Sequence, residues 1–228
     1  MNTIRVLGVD AGSFNTPSWL AFLEGDLFTL SMTTIRADHL DLSWLNSREV
    51  AAVAVDAPQG LPARGRTVRV ADKAAGTPTR RLPRHRAEME RERYDNGTQI
   101  MYAQLIRLGV DFFWHHRSRV YSGGEFDGKV AETYPRAILS LLTGRSDIPS
   151  KRSDAFAYCS LVMGTLTRLG LRCPGVEIPS VDQADAMLCA YAARCALEGN
   201  SEVVGEAPIL DDRDRVIREG YIVLPKGR

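Results

Sequence analysis

Apolar residues near the start of the chain fall into short unbroken runs, each closed by an acid. Val6-Leu7-Gly8-Val9 ends at Asp10, and Ala51-Ala52-Val53-Ala54-Val55 ends at Asp56. Runs without polar alternation read as strands buried on both faces, in the middle of a mostly parallel sheet. Residues 3–10, 18–24 and 27–35 read as three successive strands, with turns at Asp10-Ala11-Gly12-Ser13 and Glu24-Gly25-Asp26. The polar stretch 36–49, with scattered leucines, suits a short helix. Residues 50–56 form a fourth strand, and Pro58, Gly60 and Pro62 end regular structure there. A three-strand meander, a helix and a further apolar strand predict an α/β fold with a mixed sheet flanked by helices.

Downstream, the period changes. Ile100, Met101, Leu105, Ile106 and Leu108 give residues 99–109 a helical pattern, and Phe112-Phe113-Trp114-His115-His116 reads as core packing followed by a surface turn. Residues 129–134 suit a short strand, with Pro135 opening a helix to about Leu142. Residues 153–169 form another helix, started by Ser153 or Asp154 and stopped near Gly170. Ser180 with Gln183 three residues on is a capping box, which starts a helix over 181–197. On that helix Asp185, Leu188, Cys189, Ala192 and Ala196 share one face, and Asp182 lies on nearly the same side. Both acids are therefore expected to point toward the body of the protein. The tail from Val203 to Leu224 reads as a hairpin turning at Asp211-Asp212-Arg213-Asp214.

Composition narrows the class only modestly. A chain of 228 residues, 44% hydrophobic and 25% charged, suits one large soluble domain. The net charge of +1 gives no overall pull toward nucleic acid or membrane. No apolar stretch is long enough to cross a bilayer, and the start lacks a secretory pattern, so no membrane association and a cytoplasmic location are expected. Cys159, Cys173, Cys189 and Cys195 form no Cys-x-x-Cys pair and have no histidine at zinc-finger spacing, which predicts free buried thiols. Charge is uneven, however. Between Arg64 and Arg93 nine arginines and one lysine face four acids, so residues 63–98 read as an inserted basic lobe, broken by Gly76, Pro78 and Pro83. Arg64, Arg66, Arg69, Arg80, Arg81, Arg84 and Arg86 could track phosphates, or form a solvated face bridged by Glu88, Glu90 and Glu92.

The chemistry lies in the acids at the ends of apolar segments: Asp10, Asp56, Glu132, Asp182 and Asp185. An acid where a buried strand ends lies at the rim where open α/β sheets place their sites. Each also has a plain reading. Asp10 and Asp56 could accept hydrogen bonds within their turns, Asp182 could serve the helix N-terminus, and Glu132 could pair with an arginine. Clustered, however, carboxylates without thiolate or imidazole partners suit Mg²⁺ or Mn²⁺. Two such ions about 4 Å apart would stabilise both oxygens of a phosphoryl displacement, with Asp10 the natural bridge.

Four segments carry a family resemblance: Gly8-Val9-Asp10-Ala11-Gly12, Val55-Asp56-Ala57-Pro58-Gln59-Gly60-Leu61-Pro62, Glu132-Thr133-Tyr134-Pro135-Arg136 and Asp182-Gln183-Ala184-Asp185-Ala186. Together with the terminal Gly220-Tyr221-Ile222-Val223-Leu224-Pro225, they resemble a predicted-nuclease family, domain of unknown function 429, of the ribonuclease H-like superfamily. The resemblance spans nearly the whole chain. It implies a single ribonuclease H-like domain over residues 1–228 and a metal-dependent nuclease acting on DNA or RNA. It further implies Asp10, Asp56 and Asp185 as ligands of two Mg²⁺ or Mn²⁺ ions, with Asp182 and Glu132 supporting; for such an enzyme the basic lobe offers Arg64, Arg80, Arg81, Arg84 and Arg86 toward the nucleic acid. Two other readings fit parts of the pattern: a non-catalytic nucleic-acid-binding or scaffold module of this fold, and an actin-like phosphotransferase suggested by Asp10-Ala11-Gly12-Ser13-Phe14-Asn15. The second would need a further phosphate loop that the later sequence lacks.

Overall fold

The computed structural model describes residues 4–12, 16–33, 49–77, 82–91 and 97–227. Three strands, β1 (Arg5–Asp10), β2 (Ser18–Glu24) and β3 (Leu27–Thr33), form the expected antiparallel meander. The stretch 34–48, which holds nearly all of the expected short helix, lies outside the described residues. β4 (Ala52–Asp56) returns parallel to β1, and β5 (Lys129–Glu132) parallel to β4. The chain ends in a hairpin of β6 (Ser201–Asp211) and β7 (Val216–Pro225), with β7 parallel to β5. The result is one seven-stranded mixed sheet in the order β3-β2-β1-β4-β5-β7-β6. β6 is its outer strand, interrupted by a register shift between Glu206 and Ile209.

Six helices flank this sheet among the described residues: α1 (Val70–Ala75), α2 (Arg86–Arg91), α3 (Gly97–His115), α4 (Pro135–Thr143), α5 (Ala155–Arg168) and α6 (Val181–Leu197). None of them is long and apolar enough to cross a membrane. Strand alternation divides the core. Val6, Ala52, Ala54 and Ala131 face one side, where Ile138, Leu139, Tyr158, Val162 and the small residues of α6 cover them. Leu7, Val9, Val53, Val55 and Val130 face the other, covered by Leu108, Phe112, Phe113 and Trp114 of α3. The Phe-Phe-Trp segment is thus core, and His115 after it is exposed. All four cysteines are free and buried.

The lobe expected to be irregular contains α1, α2 and the first two residues of α3. A small apolar cluster of Leu61, Leu82, Met89, Ile106, Val110 and Val216 ties it to α3 and β7. Its composition hid this anchoring because the apolar residues are spaced singly among arginines.

One contact sets how deeply α6 sits. A Cβ on Gly8 would lie 2.0 Å from the Ala186 carbonyl oxygen and 2.1 Å from the Ala190 nitrogen. Glycine at this position lets the helix backbone rest directly on β1. The Ser180–Gln183 capping box fixes where α6 begins, with both reciprocal hydrogen bonds present.

Candidate functional site

Asp10 and Asp56 are register partners at the ends of neighbouring parallel strands, on the face that carries α6. The buried Asp185 projects from α6 onto them. Each of the three carboxylates offers an oxygen within 4.8 Å of the other two. The turn amides that could have occupied these acids are engaged elsewhere. Gly12 N donates to Ser18 Oγ at 3.1 Å, and Gln59 N donates to Glu132 Oε2 at 2.7 Å.

Asp182 does not join this face. It is exposed at the rim, whereas both acids were expected to point inward. Three residues advance a helix by about 300°, so Asp182 is turned by roughly 60° from Asp185, enough to place it in solvent. Glu132 is also set apart, because it pairs in register with Val55 rather than Asp56 and so falls on the other face of the sheet. There the fully buried Arg69 holds it through two bonds, of 2.6 and 2.7 Å, and holds Asp72 through two more, of 2.8 and 2.9 Å.

Two groups in the site escape sequence reasoning. Lys151 Nζ donates to Asp185 Oδ2, and Tyr158 OH donates to Asp185 Oδ1 at 2.5 Å. Lys151 also lies 5.3 Å above the Tyr158 ring. Lys151 belongs to a loop without periodicity, and Tyr158 sits within an ordinary helical pattern. Neither offers a signal in one sequence.

The electrostatics follow from this crowding. Burial pushes the Asp10 carboxyl well above its ordinary range, and the charges of Asp185, Asp56 and Asp182 push it further. Asp56 is pushed up to about 7, by burial first and then by Asp185 and Glu132, against the pull of Lys151. Burial likewise raises Asp185, opposed by Lys151 and Tyr158. Burial works against the charge on Lys151, but Asp185, Asp56 and Asp10 outweigh it and raise its pKa, so the ammonium is kept. Cys189, one turn beyond Asp185, is driven upward by burial and by all three acids, so its thiol stays protonated. The available donors are therefore hard oxygens, which fit Mg²⁺ or Mn²⁺ and disfavour thiophilic ions.

The lobe arginines are largely engaged within the protein. Arg64 pairs with Asp211 at 2.9 Å while staying 60% exposed. Arg66 pairs with Glu206 and the buried Glu219. Arg86 reaches Asp111 at 2.6 Å and the carbonyls of Asp214 and Arg215. Arg69 is wholly internal, as above. Arg84 is exposed, and Arg80 and Arg81 lie outside the described residues.

No curated protein and no solved structure matches this chain. Residues 8–209, which include Asp10, Asp56, Glu132, Asp182 and Asp185, match a single family description. The chain belongs to the family described as protein of unknown function (DUF429).

Proposed function

We propose that this protein is a divalent-metal-dependent nuclease that hydrolyses phosphodiester bonds in nucleic acid, built on a ribonuclease H-like fold. The observation that carries the reading is the convergence of Asp10, Asp56 and Asp185, each with an oxygen within 4.8 Å of the others. Three carboxylates drawn together at a sheet rim repel one another, and a bound cation is the direct remedy. The order of elements supports it: a three-strand meander, then parallel β4 and β5, with acids ending β1 and β4 and a third on α6.

Mg²⁺ or Mn²⁺ held here would supply Lewis-acid stabilisation of oxygens that gain charge as the phosphodiester is cleaved. The chain's own residues have distinct tasks. Asp10 and Asp56 present carboxylates at the rim that no hydrogen-bond donor reaches among the described residues. Tyr158 and Lys151 fix the orientation of Asp185 by occupying one oxygen each. Protons compete with the cation for Asp56 near neutral pH, so cation affinity rises as the solution becomes more alkaline. Toward the nucleic acid, Arg64 and Arg84 are the exposed lobe residues suited to phosphates, joined by Arg80 and Arg81 from the sequence. Arg86 is held by Asp111 and serves the fold.

Asp10→Asn keeps the shape and removes one ligand charge. It is expected to abolish Mg²⁺- or Mn²⁺-dependent cleavage of single-stranded, duplex and branched DNA and RNA while the protein remains folded. A wild-type protein that cleaves no member of that panel, and whose melting temperature ignores both ions, would sink the nuclease reading in favour of a binding module.

A further inference from the structure

Lys151 does more than orient Asp185, because its hydrogen bond to that acid brings an ammonium into the acid site. We propose that Lys151 supplies one of the positive charges the site requires, so that the site takes a single divalent ion on Asp10 and Asp56 while Asp185 is reserved for the lysine. This rests on the metal-dependent reading and fixes its stoichiometry and the division of labour among the three acids.

Asp185 is already occupied. Both oxygens of Asp185 have protein donors, Lys151 Nζ on Oδ2 and Tyr158 OH on Oδ1. Among the described residues no hydrogen-bond donor reaches the Asp10 or Asp56 carboxylate, so these two are the open ones. Charge agrees with this division. The three carboxylates and one ammonium leave two negative charges, which one divalent ion neutralises. A pair of divalent ions beside the lysine would overcharge the same three acids. Neighbouring acids add negative charge from farther off: Glu132, on the other face, shares the Arg69 guanidinium with Asp72, and Asp182 is exposed, where water weakens its effect.

Lys151 is also held in place. Arg136 donates to the carbonyls of Ile148 at 2.9 Å and Pro149 at 3.3 Å, clamping the segment that leads into the lysine. The Ser150 carbonyl accepts from Asp154 N at 2.8 Å, and its hydroxyl accepts from Arg152 N and Ser153 N. Asp154 then caps α5. Lys151 is thus pinned between a clamped loop and a helix start, with Nζ also over the Tyr158 ring. This gives Arg136 of the Tyr134-Pro135-Arg136 segment a purpose: it is a positioning residue for Lys151.

The test is Mn²⁺ titration of the metal-free protein by calorimetry at mildly alkaline pH, for wild type, Lys151→Met and Lys151→Arg. Wild type and Lys151→Arg are expected to bind one ion. Lys151→Met is expected to bind two, the first at least about tenfold more tightly, because a like charge has left its side. Two ions on wild type, or one ion of unchanged affinity on Lys151→Met, would overturn the role of the lysine while leaving the metal reading in place. No ion on wild type overturns both. Should Lys151→Met fail to fold, wild type and Lys151→Arg decide by their own stoichiometry.

Discussion

Replacing Asp56 with asparagine should stabilise the metal-free protein near pH 8 and leave it almost unchanged near pH 4. In the folded protein the Asp56 carboxyl titrates at about 7, against an ordinary value of 3.8. A folded-state pKa above the unfolded one means that the folded chain binds the proton more tightly. Stability contributed by that proton is complete below the unfolded value and is lost as pH rises to the folded value. The window therefore runs from about pH 4 to about pH 7. A shift of roughly 3 units at about 1.4 kcal/mol each would give about 4 kcal/mol. Asp56 is partly exposed at the rim, and solvent screening reduces this to roughly 2 kcal/mol. For a chain of this length that corresponds to a melting temperature higher by roughly 4–8 °C in the variant. The assay is thermal melting of both proteins in chelator across the pH window. The gap between them is the quantity to follow, because the two proteins share every other side chain. Saturating Mn²⁺ should narrow or reverse the gap, since only wild type keeps the full ligand set. A variant that melts at or below wild type near pH 8 in chelator would refute the placement of Asp56 in a crowded, like-charged site.

Two further substitutions probe the scaffold. Gly8→Ala should destabilise by about 3 kcal/mol, because the new methyl meets backbone atoms of α6 that cannot step aside; a denaturant midpoint within error of wild type would show that α6 does not rest on β1. Arg69→Met should cost about 3–5 kcal/mol by leaving Glu132 and Asp72 buried without their cation, and the added change Glu132→Leu should recover part of the loss in urea unfolding; a single variant as stable as wild type contradicts the pairing.

The strands, the α6 boundaries and the pairing of Asp10 with Asp56 were legible because they rest on local signals. Apolar runs, a capping box and two acids closing equivalent strands all lie within a few residues of one another. The division between Asp56 and Glu132 was not legible, because it depends on a register that only the assembled sheet fixes: Glu132 stands opposite Val55, and one residue of offset reverses the face. Arg69 reads as a surface cation in the sequence because its partner on β5 is remote along the chain. Asp182 reads as inward in the sequence because helical spacing sets it only about 60° from Asp185, a turn that carries it into solvent. Lys151 enters the site from an aperiodic loop, and only Arg136 and the Ser150 turn determine where it points.

The outer strand β6 bears on how the protein behaves in company. A strand at the border of a sheet offers unpaired backbone groups that a second chain can extend, and exposed Ile209 and Leu210 would make such growth adhesive. Pro208 contributes no N–H, the register shift between Glu206 and Ile209 bends the strand just there, and Glu202 and Glu206 add negative charge along it. An incoming strand would find a broken ladder. The hairpin whose inner strand completes the parallel sheet thus also blunts its border against polymerisation.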